Sequence, residues 1–203
     1  MKTVLSVLAL AAASAIAVPA VAQSGDPTYR AIASGPAEEP PNASFGTSLV
    51  TIEISGNQLL VDAPFRDLAG TTTMAHIHCC TGDAFRGAAP VALPFEGFPT
   101  GVRAGDYSAA IQLGDEASYD PAFLAANGGS VRGAYSTLVD AINANEAYVN
   151  IHTSAYPGGE IRGFLVAAPV PEPAEWAMLG VGLGGLLWLG GRRRQALPLG
   201  LKI

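Results

Sequence analysis

The sequence predicts a mostly β domain, an antiparallel sandwich or barrel, carried between two membrane-directed ends. Three observations predict it. The 203 residues include 24 Gly and 15 Pro, which weaken helix interiors and mark turns. Six or more short stretches alternate at the strand period between such turns. Long apolar runs lie only near the termini, so a membrane bundle is excluded although the mean hydropathy is +0.31.

The N-terminal end comes first. Lys2 supplies a positive start, Val4–Val18 an apolar run, and Ala20-Val21-Ala22 an A-x-A cleavage site. Residues 1–22 read as a secretory signal peptide, with Ala20 and Ala22 setting the cut. Residues 23–169 are then one domain, large enough to bury a core.

Within that domain Thr47–Ser55 places Val50, Ile52 and Ile54 on one face, with Thr51 and Glu53 on the other. Gly56-Asn57 turns the chain and Gln58–Phe65 returns, a hairpin signal. Thr72–Cys79, Tyr107–Leu113, Ala147–Thr153 and Glu160–Val166 are further strands, and Val131–Ala134 a shorter one. Gly87–Gly105 reads as a long loop with one edge strand. Two short helices interrupt the strands. Asp120 caps one at Pro121 that stops at Asn127-Gly128-Gly129. Thr137-x-x-Asp140 resembles a capping box before another ending near Asn145.

Charge narrows the function classes. The chain carries -6 overall. The two ends hold five of its cations and two of its acids, so the domain carries six Arg against fifteen acids, a net of -9. Both Lys, Lys2 and Lys202, sit at the extremes. No basic face can form, which excludes nucleic acid as a partner. Two Cys exclude a disulfide-dense scaffold.

The C-terminal end runs Pro171-Glu172-Pro173, an uncharged stretch Trp176–Gly191, then Arg192-Arg193-Arg194. Sixteen helical residues reach roughly 24 Å against a hydrocarbon core of about 30 Å, a marginal transmembrane helix. The arginines would stay cytoplasmic. This order resembles the PEP-CTERM sorting signal over residues 170–194, with 195–203 as a cytoplasmic tail. The resemblance implies an exosortase-type transpeptidase as partner and at least transient residence in the inner membrane. It also implies delivery to the envelope, surface or exopolysaccharide matrix of a Gram-negative bacterium. The alternative is a permanent single-span anchor.

All three histidines fall in strand stretches. His76 and His78 form an H-x-H pair and share a strand face, about 6–7 Å apart. In the later strand Tyr148, Asn150 and His152 share a face, and the right register brings His152 in as a third ligand. Three His and a water make an open zinc site, and imidazole also suits copper. Asp83 or Glu160 is a candidate carboxylate ligand. Cys79 and Cys80 follow directly, with Cys80 in phase with the histidines; a vicinal disulfide, intermolecular bonds and soft copper ligation are the alternatives. The chain has no nucleophile elbow, phosphate loop or paired catalytic carboxylates, so no catalytic residue is assigned and a non-enzyme is expected.

Tyr148-Val149-Asn150-Ile151-His152-Thr153 runs into Pro157-Gly158-Gly159-Glu160-Ile161-Arg162-Gly163. This is similar to the closing signature of the CHRD, or chordin-like, domain. Ala75-His76-Ile77-His78 matches that family's A-H-I-H element. Glu38-Glu39-Pro40-Pro41-Asn42 with Gly46 matches its opening. The resemblance covers nearly all of Tyr29–Val166 and implies an immunoglobulin-like or superoxide-dismutase-like β-sandwich. It implies no settled activity. Arg162 shares a strand face with Glu160 and is placed to bridge carboxylates. The leading expectation is an exported envelope or matrix protein whose domain binds surface proteins or exopolysaccharide. The alternative is a His-based copper or zinc protein with a redox role, since the H-x-H pair resembles the copper-site strand of copper–zinc superoxide dismutase. Capture of a secreted signalling protein, as in chordin, rests on analogy.

Overall fold

A computed structural model describes residues 26–169 and 179–187. The chain lays down ten strands and two α-helices over 26–169. The strands are β1 (Thr28–Ser34), β2 (Thr47–Ser55), β3 (Gln58–Asp62), β4 (Phe65–Arg66), β5 (Thr72–His78), β6 (Val91–Pro94), β7 (Ser108–Gln112), β8 (Tyr148–Thr153), β9 (Ile161–Phe164) and β10 (Val166–Ala167). The helices are α1 (Pro121–Ala126) and α2 (Val131–Asn143), with 3-10 turns at Gly35–Ala37 and Glu116–Ser118.

All pairings are antiparallel, in the order β6-β5-β8-β9-β1-β2-β3-β7, with β10 on β1 and β4 on β2. The strands therefore join into one curled half-barrel sheet, and not the two separate sheets of the expected sandwich. The join is β1. It pairs along its whole length with β2, while its other edge meets β10 at Tyr29 and Arg30 and β9 at Ser34. The sequence reading missed β1. Its core face holds Tyr29, Ala31 and Ala33, whereas Ile32 points out and is 75% exposed. Small residues inside and a large one outside invert the usual hydrophobic alternation.

The curl wraps a core on its inner face. Val50, Ile52 and Ile54 of β2, Leu59 and Val61 of β3, Ile77 of β5, Val149 and Ile151 of β8 and Ile161 of β9 are buried there. Each such side chain contributes about 1.5–3 kcal/mol by leaving water. The helices close the open side with Phe123, Leu124, Leu138 and Ile142.

Asp120 caps α1 as expected, accepting from the amides of Ala122 and Phe123. The expected strand at Val131–Ala134 is instead the first turn of α2. Ser130 caps that helix by accepting from the Gly133 amide, so it starts at Val131, more than one and a half turns before Thr137, and reaches 13 residues. The apolar stripe Ala134, Leu138, Ala141, Ile142 is what decides for helix. The Gln58–Phe65 return breaks at Ala63-Pro64 into β3 and β4. The expected edge strand in Gly87–Gly105 is β6, at one end of the sheet.

Residues 179–187 are helical, inside the expected 176–191 helix, and among the described residues no helix is long and apolar enough to cross a membrane. The rest of that stretch, the signal peptide with Ala20 and Ala22, and Pro171, Glu172, Pro173, Arg192, Arg193 and Arg194 lie outside the described residues.

Candidate metal centre

The register of β5 against β8 decides where the histidines meet. His76 stands opposite Asn150, Met74 opposite His152, and His78 opposite Tyr148. His76 and His78 share the outer face because they are two apart on one strand, and His152 enters from the next strand. One ligand atom from each of His76, His78 and His152 lies within 4.8 Å of the others. The ring centroids are 5.1 Å apart for His76–His152, 5.6 Å for His76–His78 and 5.9 Å for His78–His152.

Two rings are held by backbone carbonyls. His78 Nδ1 is 2.9 Å from the Ala89 carbonyl oxygen, and His152 Nδ1 is 2.9 Å from that of Pro157. A carbonyl can only accept, so both Nδ1 atoms carry the proton and both Nε2 atoms keep a lone pair. That is the usual way a second partner orients an imidazole toward a metal. Among the described residues His78 Nε2, His152 Nε2 and His76 Nδ1 are buried and have no hydrogen-bond partner. Burial holds all three rings below the ordinary histidine range, His76 down to about 4, with repulsion from His152 and His78 adding to it. They are neutral at neutral pH, the form that ligates metal. A tetrahedral ion with bonds of about 2.0–2.1 Å needs its nitrogens roughly 3.4 Å apart, so small side-chain rotations would draw the three together.

The surrounding face is polar and covered by loops. One row across the sheet reads Pro94, His76, Asn150, Arg162, Ser34. Arg162 donates from Nε to the Ala37 carbonyl at 2.6 Å and from NH1 to the Gly87 carbonyl at 3.0 Å. Its NH2 pairs with Glu39 at 3.1 Å, and Nε stands 4.0 Å from Glu38. Arg162 thereby ties the 35–42 and 81–90 loops over the sheet. Its guanidinium lies 5.0 Å from the Tyr148 ring centroid, and that ring stacks nearly parallel on His78 at 4.9 Å. Every residue of β8 is consequently buried, on both faces.

Neither carboxylate suggested as a metal ligand joins the histidines. Asp83 sits in a turn bridged to Arg86, and the His group contains no acid. Glu160 is fully buried and faces away from the site. One of its oxygens accepts from Ser44 Oγ at 2.5 Å and the Ala69 amide at 2.6 Å. The other accepts from Thr153 Oγ1 at 2.6 Å and the Gly70 amide at 3.0 Å. Burial pushes this carboxyl up, but the four donors outweigh it and hold it below the usual range. Glu160 also does not share the face of Arg162. The chain bends at Glu160 before β9 begins, so strand alternation does not extend to it.

Cys79 and Cys80 are joined to each other as a disulfide. β5 ends at His78, so alternation stops there too and Cys80 is not in phase with the histidines. Cys79 is buried in the core, and Cys80 Sγ lies 4.0 Å from the Thr137 carbonyl of α2. Neither sulfur belongs to the His group.

The remaining signature residues serve close packing. Gly163 lets β9 approach β1, since a Cβ there would stand 2.5 Å from the Ile32 carbonyl oxygen. Gly159, at φ 133°, leaves room for the side chains of Asn150 and Glu38. Glu38 itself was not singled out from sequence as a site residue. It is buried, and burial pushes its carboxyl up to about 7 despite Arg162 and the Asn150 amide, which pull it down. Its one signal was its place in the Glu38-Glu39-Pro40-Pro41 opening.

The family model for the CHRD domain matches residues 29–165, more than half of the chain. The chain belongs to the CHRD domain family. No curated protein and no solved structure matches it. The matched span of the CHRD domain runs from the second residue of β1 to just past β9, and it contains all three histidines, both cysteines and Arg162.

Proposed function

We propose that this CHRD domain is an exported metal-binding module that holds one copper or zinc ion on His76, His78 and His152. The observation that carries the reading is the convergence of three imidazoles, each with one buried ring nitrogen that has no hydrogen-bond partner among the described residues. The all-nitrogen donor set suits copper or zinc and disfavours magnesium, calcium and manganese, which prefer oxygen. Three protein ligands leave a fourth position open to water or a small molecule.

The test is titration of the chelator-washed full chain with copper(II) and zinc(II). One equivalent should bind, and His76→Ala/His78→Ala should abolish it. Binding of neither ion, or unchanged binding in the double variant, removes the reading.

The domain's destination is the cell envelope or exopolysaccharide matrix, reached through the signal at 1–22 and sorted by an exosortase at Pro171–Pro173. The order of Pro-Glu-Pro, apolar stretch and arginines supports this. Mass measurement of the surface form tests it: a chain extending beyond Arg194 overturns sorting in favour of an anchor. A second reading, binding of a matrix partner, is favoured by one surface. Ile32 and Leu49 stand side by side on β1 and β2, 75% and 51% exposed.

A further inference from the structure

Strand β5 brings one more donor to the histidine face than the three imidazoles. Thr72 stands opposite Thr153 and Met74 opposite His152, so two steps along β5 match one along β8. Thr73 is the extra residue of a β-bulge, a device that re-aims the side chains beside it. An unbroken register from the Thr72–Thr153 pair would set Thr73 across from His152 and turn Met74 to the core face. With the bulge, Thr73 and Met74 are both exposed and alternation resumes after them. Ala75 and Ile77 enter the core, and Met74, His76 and His78 share the outer face.

Met74 is thus the direct cross-strand neighbour of His152 and lies two residues from His76 on the same face. Side chains opposed in this way have Cβ atoms about 4.5–5.5 Å apart. Met74 is the one methionine within residues 26–169. Its side chain is unbranched, with three rotatable bonds and a polarisable thioether sulfur. At 49% exposure it has room to swing toward the histidines.

Charge points to the ion. Three imidazoles and a thioether bring no charge, and no acid joins the His group. The cost of taking an ion out of water rises with the square of its charge, so this neutral donor set burdens a monovalent ion less than a divalent one. A thioether is a soft donor that selects copper(I), whereas zinc is only divalent.

We propose that Met74 is a fourth protein ligand of this centre and makes it selective for copper(I). The proposal rests on the metal reading above and names the ion and oxidation state that the site prefers. With copper(I) bound, the Met74 sulfur takes the position that water holds on zinc(II) or copper(II). No electron moves in that exchange: a metal–oxygen bond breaks and a metal–sulfur bond forms.

The experiment loads the full chain with one equivalent of copper(I), added anaerobically as its acetonitrile complex and without thiol, so that Cys79 and Cys80 stay bonded. Copper K-edge X-ray absorption distinguishes nitrogen from sulfur neighbours. Competition with bicinchoninate gives the copper(I) affinity, and a chelating dye gives that for zinc(II). The wild type should show a sulfur neighbour beside the nitrogens, and Met74→Leu, which keeps the apolar bulk, should show none. Met74→Leu should also lose at least about 10-fold in copper(I) affinity, about 1.4 kcal/mol, while zinc(II) affinity changes by less than about 3-fold. Nitrogen neighbours alone in the wild type, or a sulfur that persists in Met74→Leu, overturns the role of Met74 and leaves the histidine site standing. So does a copper(I) affinity that is unchanged in Met74→Leu or falls no further than that for zinc(II). Absence of any copper or zinc binding that His76→Ala/His78→Ala abolishes overturns both readings at once.

Discussion

Replacing Glu160 with Gln tests whether the buried carboxylate is a structural latch. Each carboxylate oxygen receives one hydroxyl and one backbone amide: Ser44 and Ala69 on one, Thr153 and Gly70 on the other. Gln keeps the shape but turns one oxygen into a donor. On whichever side the NH2 lands, the hydroxyl can rotate and accept. The backbone N–H cannot, and faces the NH2 donor to donor. The variant therefore loses one hydrogen bond to a charged group, about 1.5–3 kcal/mol, and leaves one buried amide unsatisfied, about 1–3 kcal/mol. The surviving bonds weaken as well, while removal of a buried charge offsets part of the loss. A destabilisation of about 3–5 kcal/mol is expected. For a domain of this size that lowers the melting temperature by roughly 10–15 °C. Thermal and urea melts followed by circular dichroism read it out, and below the melt Glu160→Gln should still bind one metal equivalent. A melting point within about 3 °C of wild type would refute the latch. A loss of metal stoichiometry in the folded variant would show that the carboxylate ligates after all.

Gly163→Ala should destabilise the domain by about 1–3 kcal/mol, because its Cβ meets the Ile32 backbone at 2.5 Å and must push β9 from β1; an unchanged melt contradicts that packing. The metal-free domain should lose stability as pH falls from about 6.5 toward 4. Its three histidines have folded pKa values below their unfolded ones, so the unfolded chain takes up more protons there. Glu38 acts in the opposite sense, its raised pKa favouring the fold at acid pH and losing that effect as pH rises toward 7. Melts from pH 4 to 8 should therefore be flatter in His76→Ala, and an identical profile counts against neutral buried histidines. Alkylation of the native exported chain without reductant should label no cysteine, and labelling at Cys79 or Cys80 contradicts the bonded pair.

The sequence was most legible where local rules and burial agree. β2 falls on Thr47–Ser55, where the strand period is unbroken, and α1 starts at the Asp120-Pro121 cap. The histidine meeting point was also legible in part. Alternation places His76 and His78 together, and only the register of β8, a long-range property, adds His152. Local rules failed at element ends. Extending strand alternation one or two residues too far put Cys80 with the histidines and Glu160 with Arg162. Glu38 was legible only as part of the Glu38-Glu39-Pro40-Pro41 opening, because its burial comes from a loop that Arg162 ties over the sheet from a distant part of the sequence.

The domain carries its own standard for how it treats a buried polar group that has only a structural task. Glu160 is a full charge at zero exposure, and every acceptor direction it needs is filled, by two hydroxyls and two backbone amides. Native proteins satisfy nearly all such groups, since an unfilled one costs about 1–3 kcal/mol. The other face of the same β8–β9 pair does the reverse. Among the described residues one atom on each of His76, His78, His152, Asn150 and Glu38 is buried without a hydrogen-bond partner, while the rings of His78 and His152 are each tethered by their far nitrogen. A fold that could close a latch around Glu160 could have spent apolar residues on this face at no such cost. Keeping the groups unfilled, oriented and mutually close makes sense when the missing partners come from outside the chain. On the proposed function an ion supplies the three on the histidines.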